Sequence, residues 1–157
     1  MRTNEKNTQI KVVPPPLIFF AITIVGLTLH RFFPTTIKIQ SLFIRIFFAS
    51  MFIGFSGIIA VQSFRVMRRH KTDIIFKKPT TNLIITGPFK FSRNPLYMSL
   101  LMLYAGIGVL LNSLWFAPLL LLLFVFLRLV VLNEEKLLNR LFTQEFQNYK
   151  NKVRRWL

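Results

Sequence analysis

A chain of 157 residues has room for one domain, and with 53% hydrophobic residues, 18 of them phenylalanine, it is more apolar than an ordinary soluble globule. Lys and Arg outnumber Asp and Glu by 21 to 5, but the bases flank long apolar runs instead of forming a polar domain. This argues against nucleic acid and for a membrane with its positive-inside loops. The absence of cysteine excludes disulfides, thiolate-held metals and a cysteine nucleophile, and His30 and His70 as the sole histidines make no metal triad, so no metal is expected.

Arg2, Lys6 and Lys11 lead into Pro14-Pro15-Pro16 and an uncharged run from Val12 to Leu29. No small-residue cleavage site follows, so the run reads as an uncleaved first span with Pro at its start, where missing amide donors are tolerated. A second span follows Arg45 and ends near Phe64, with Gly54, Ser56 and Gly57 as small residues suited to close helix approach. Between Asn94 and Leu127 no ionisable side chain but tyrosine occurs, and at about 1.5 Å per residue that stretch is too long for one crossing. It must double back. Asn112-Ser113, near Gly106, Gly108 and Pro118, marks the turn of a helical hairpin.

The expectation is an all-α membrane protein of about four transmembrane helices, approximately 12–31, 45–64, 95–111 and 114–132, with a C-terminal amphipathic cytosolic helix. It is one membrane domain over 1–157: an N-terminal helical pair (1–64), a basic cytosolic loop (65–94), and a hairpin plus C-terminal helix (95–157). Arg65, Arg68, Arg69, Lys71, Lys77, Lys78, Lys90 and Arg93 crowd the loop, and seven more bases follow from Arg128, so loop and C-terminus are placed in the cytosol.

Chemistry concentrates where these segments meet. Gly87-Pro88 is a turn, and Asn94-Pro95 is a helix start with Asn as cap and Pro at the first helical position. Free amides, a positive dipole end and Arg93 converge there, a setting for a carboxylate or phosphate, with Tyr97 one turn in. If the hairpin closes, Asn133-Glu134-Glu135 faces Arg93 and Tyr97. Adjacent acids on a helix point about 100° apart, so they suit two tasks better than one shared proton. Beyond them Leu137, Leu138, Leu141, Phe142, Phe146 and Tyr149 repeat with helical period, lying along the membrane or folding over the site. Each residue alone has a plain reading: positive-inside charge for Lys90 and Arg93, a solvated face for the two glutamates, a cap for Asn94 and an interfacial belt for Tyr97. Convergence on one surface is what favours a site.

GPFKFSRNPLY at 87–97 and EEKLLNRLFTQEFQNY at 134–149 resemble the isoprenylcysteine carboxyl methyltransferase and phospholipid methyltransferase group of integral membrane enzymes. Members of that group typically carry G-P-F/Y-x-Y/F-x-R-H/N-P-x-Y, a hairpin, and then a Glu-Glu helix. The resemblance covers Thr86 to Leu157 and implies an S-adenosylmethionine pocket facing the cytosol. It implies Gly87, Pro88, Arg93, Asn94, Tyr97, Glu134, Glu135 and Tyr149 as cofactor-binding residues, with Arg93 and Glu135 as positioning candidates. Membrane lipids and a lipid-like or isoprenylated-cysteine carboxylate acceptor are the implied partners, and no nucleic acid. Asn94 stands where many relatives have His, which removes a titratable group. The tail lacks the Pro common after the equivalent of Val153, and Arg154 and Arg155 read as surface charge, with an anionic acceptor or lipid head group as the alternative. Two rivals stand beside this reading. An NADPH-dependent sterol reductase usually follows the tyrosine with an acid, where Met98-Ser99 stands here; a non-enzymatic membrane protein is the other.

Overall fold

The computed structural model describes residues 14–69 and 83–156, so the expectations for 1–13, including the beginning of the first span, and for 70–82 of the basic loop lie outside the described residues. The described residues form five α-helices: α1 (Pro15–Phe32), α2 (Leu42–Arg69), α3 (Pro95–Leu110), α4 (Phe116–Leu141) and α5 (Thr143–Lys152), with a single 3₁₀ turn at Gly87–Lys90 before α3. This is the all-α membrane fold expected. α1, α2 and α4 are each long and apolar enough to cross a membrane, whereas α3 has 16 residues, about 24 Å of helix.

The surface confirms where these helices live. Phe20 and Ile24 of α1, Phe43 and Phe47 of α2, and Leu121 and Leu129 of α4 are all more than half exposed, an apolar girdle that water would not tolerate and lipid does. The interior is reserved for small and aromatic groups. α3 packs against α1, α2 and α4. Toward α2 the contact is a stripe of small side chains at seven-residue spacing, Ala49, Ser56 and Ser63, all buried, with the heptad register of left-handed helix pairs. Opposite lie Ser99 and Gly106: the Ser56 hydroxyl donates to the Ser99 carbonyl at 2.7 Å, and a Cβ on Gly106 would lie 2.8 Å from Ile53 Cγ1. The glycines that the sequence singled out in this span do not contribute. Gly54 and Gly57 have nothing within 4 Å of a Cβ and face outward, leaving only Ser56 of that trio in the seam.

On the other side, Phe116 (3% exposed) plugs the junction of α1, α3 and α4. Its ring lies under Tyr104, centroids 4.9 Å apart, and against the positions where Gly26 and Gly108 lack side chains.

The hairpin turns where expected. Asn112 adopts φ 51°, a left-handed conformation that Asn tolerates better than most residues, and α4 begins at Phe116, placing Pro118 inside its first turn. The connection from α1 to α2 is stapled to this turn. Ile37 N–H donates to the Asn112 carbonyl at 3.2 Å, Leu114 N–H to Thr35 at 3.1 Å and the Trp115 indole to Phe33 at 2.7 Å. One end of the bundle is thereby closed, and the opposite end carries the motifs.

At that opposite end, the helix that carries the fourth span extends beyond the expected 114–132: α4 runs unbroken to Leu141, so Glu134 and Glu135 are part of it. The expected amphipathic segment is therefore split at Phe142 between the end of α4 and α5. Backbone hydrogen bonding does not stop where apolarity stops, so a helix leaving the bilayer continues until something breaks it.

Candidate functional site

The site is assembled from the bottom of α3, the loop before it, the end of α4, α5 and the C-terminal tail. Gly87 has φ +62°, and a Cβ there would stand 2.8 Å from Val66 Cγ2, so glycine alone turns the chain this closely against α2. The Pro88 carbonyl then accepts from Phe91 N–H at 3.1 Å and Ser92 N–H at 3.2 Å, closing the 3₁₀ turn. α5 covers it: Phe146 and Tyr149 are buried, and the Tyr149 hydroxyl donates to the Phe89 carbonyl at 2.6 Å. Burial pushes the Tyr149 phenol above its ordinary pKa, against the opposing effect of Arg93, so the hydroxyl keeps the proton it donates. Of the two arrangements open to the amphipathic segment, its α5 half shows the one that folds over the loop.

Asn94 precedes Pro95 as expected, but its side chain does not cap α3. Its Nδ2 donates instead to the Arg155 carbonyl at 3.1 Å. Among the described residues no side chain caps the start of α3, where the positive end of its dipole lies.

Arg93 stands beside that start. Its side chain is 9% exposed and its Nη1 lies 3.0 Å from Glu135 Oε1, while its Nε finds no hydrogen-bond acceptor among the described residues. Burial pulls its pKa below the ordinary value and Glu135 pushes it back up, but a guanidinium stays charged throughout. One turn further, the Tyr97 hydroxyl donates to Glu134 Oε1 at 2.5 Å. The two glutamates thus take separate partners, as their angular separation on one helix requires. Tyr97→Phe should leave the Glu134 carboxylate without its donor and lower stability by about 1–3 kcal/mol, read as a reduced thermal midpoint in detergent.

Four participants went unrecognised in the sequence. Arg155 was read as surface charge, yet its Nε and Nη2 grip Glu135 Oε1 and Oε2 at 3.0 and 2.8 Å, hydrogen bonds that raise its own pKa. Arg154 keeps its side chain exposed, but its carbonyl accepts from Arg93 N–H at 3.0 Å. Ser92 is 2% exposed and its hydroxyl donates to the Arg155 carbonyl at 3.2 Å. Trp156 completes the attachment, its ring 5.2 Å from that of Phe124 on α4. Contacts between residues 20 to 63 positions apart leave no periodic trace, so local pattern could not have found them.

One end of the bundle therefore gathers an uncapped helix start, a buried guanidinium with an unused donor, two carboxylates in different settings and a tail laced across them. The chain matches the model of the phospholipid methyltransferase family over residues 44–145, from the first turn of α2 into α5, and it belongs to that family. It is thus a membrane methyltransferase with a lipid-like substrate. No curated protein and no solved structure matches the chain.

Proposed function

We propose that the chain transfers a methyl group from S-adenosylmethionine to a lipid-like acceptor, at a site facing the cytosol between the start of α3, the end of α4 and α5. The observation that carries this reading is Arg93: a buried guanidinium with a free Nε, beside uncapped helix amides, fits the carboxylate of an amino-acid-bearing cofactor. The donor supplies an electrophilic methyl on a sulfonium; everything else is done by the chain. Arg93 and the α3 amides hold the carboxylate end. Glu134, oriented by Tyr97, offers its remaining acceptor sites to an ammonium or to ribose hydroxyls. Gly87, Pro88 and Asn94 shape the loop, Tyr149 closes α5 over it, and Glu135 positions Arg93. No group here need move a proton at the methyl itself, so rate enhancement comes from alignment and exclusion of water.

The acceptor reaches this site laterally from the bilayer, presenting a nucleophilic head such as an isoprenylated-cysteine carboxylate or a phospholipid amine. The bases Arg65, Arg68 and Arg69 at the same end of α2 orient it toward the cytosol. Purified protein should gain several degrees of thermal stability from S-adenosylhomocysteine and none from NADPH; the reverse preference would replace this reading with a reductase. Mass spectrometry of extracts from cells fed isotopically labelled methionine, with and without the protein, identifies the acceptor.

A further inference from the structure

Glu135 has two arginines within reach, and they are not equivalent. Arg155 engages both carboxylate oxygens through Nε and Nη2 at 3.0 and 2.8 Å, the fork-to-fork arrangement of a strong charge-assisted pair. Arg93 approaches only Oε1, at 3.0 Å from Nη1, and neither that nitrogen nor Nε makes a hydrogen bond among the described residues. A buried guanidinium so poorly served is costly unless another anion completes it. Two arginines against one carboxylate leave that charge uncancelled.

The backbone that launches Arg155 is fixed independently of its side chain. Ser92 Oγ and Asn94 Nδ2 donate to its carbonyl at 3.2 and 3.1 Å, and Arg93 N–H donates to the Arg154 carbonyl at 3.0 Å. Trp156 packs on Phe124. The guanidinium thus has a built-in aim at Glu135 that does not depend on the pair it forms.

We infer that Arg155 is a positioning residue of the donor site: by occupying both oxygens of Glu135 it limits that carboxylate to a single contact with Arg93, at Nη1, and leaves the rest of the Arg93 guanidinium to the carboxylate of the methyl donor. This rests on the donor-pocket reading above and extends it to the tail. Without the Arg155 fork, Glu135 is free to turn its second oxygen to Arg93, and an internal anion then occupies the place of the external one.

The test uses the full chain in detergent or nanodiscs, with calorimetric titration of two probes. S-adenosylhomocysteine carries the aminoacyl carboxylate, and 5′-methylthioadenosine lacks it. Arg155→Ala should bind S-adenosylhomocysteine about tenfold more weakly, the scale of one charge-assisted hydrogen bond, and 5′-methylthioadenosine unchanged. Adding Glu135→Gln to that variant replaces the competing anion with a neutral amide whose oxygen can still sit against Arg93 Nη1, and should restore part of the lost S-adenosylhomocysteine affinity, a rescue that a merely structural salt bridge would not produce. Equal losses for both probes, no loss, or a double variant no better than the single one overturns the inference. Should Arg155→Ala fail to fold, Arg155→Lys, which keeps the charge but not the fork, is read by the same probe selectivity and the same rescue. A wild-type chain that binds 5′-methylthioadenosine but shows no preference for S-adenosylhomocysteine overturns the inference alone, whereas one that binds neither removes the donor pocket itself.

Discussion

Arg93→Ala should abolish stabilisation by S-adenosylhomocysteine and weaken its binding at least about thirtyfold, because truncating one partner of a desolvated charge pair costs about 2 kcal/mol or more. The fold should survive the change. Glu135 retains both hydrogen bonds from Arg155, and Ser92 and Asn94 still hold the tail through its backbone, so no carboxylate is stranded. Arg93 contributes its own peptide N–H to that lacing as well, and alanine keeps it. Arg93→Lys restores the charge without a planar fork and should recover only part of the affinity. Binding of S-adenosylhomocysteine to Arg93→Ala within threefold of wild type would mean that the carboxylate end is held elsewhere, and the orientation proposed for the donor would have to be reversed.

This prediction depends on elements that were unequally legible in the sequence. The hairpin could be read from an absence: no charge for more than thirty residues is incompatible with one crossing, and Asn112 supplied the only residue nearby suited to a left-handed turn besides glycine. The neighbourhood of Arg93 and Tyr97 with the glutamates followed from that closure, as geometry follows from connectivity. The α2–α3 seam was misjudged because glycines were counted without asking which face they occupy. Ala49, Ser56 and Ser63 share one stripe at seven-residue spacing, and reading that register would have placed Gly54 and Gly57 outside it. The end of α4 at Leu141 was not legible in hydropathy, which reports where lipid stops and not where a helix does. Asn94 and Arg155 were misread for a deeper reason. Whether an amide caps its own helix or holds a distant carbonyl is decided by what the tail brings near it, and 61 residues separate the two.

Gly108→Val should be the most damaging single substitution outside the site. A Cβ at Gly108 would stand 2.5 Å from Phe116 Cβ and 3.1 Å from its Cγ, and a Cβ cannot rotate away as the tip of a side chain can. Phe116 has little room to retreat, since its far edge already fills the place a side chain on Gly26 would take and its face lies against Tyr104. The Gly108 carbonyl also accepts from Ser113 N–H at 3.1 Å to close the helical turn, so spreading α3 from α4 would break the turn that joins them. Overpacking of this kind costs about 1–3 kcal/mol where neighbours can adjust, and here the neighbours are two helix backbones and a trapped ring. Because the proposed donor site lies at the opposite ends of these same two helices, Gly108→Val should lose S-adenosylhomocysteine binding together with thermal stability. Gly57→Val provides the contrast: with nothing within 4 Å, it should leave both within error of wild type. A Gly108→Val protein that unfolds at the wild-type temperature would show that α3 and α4 need not approach so closely, and that the ion pairs at the site hold without the packing beneath them.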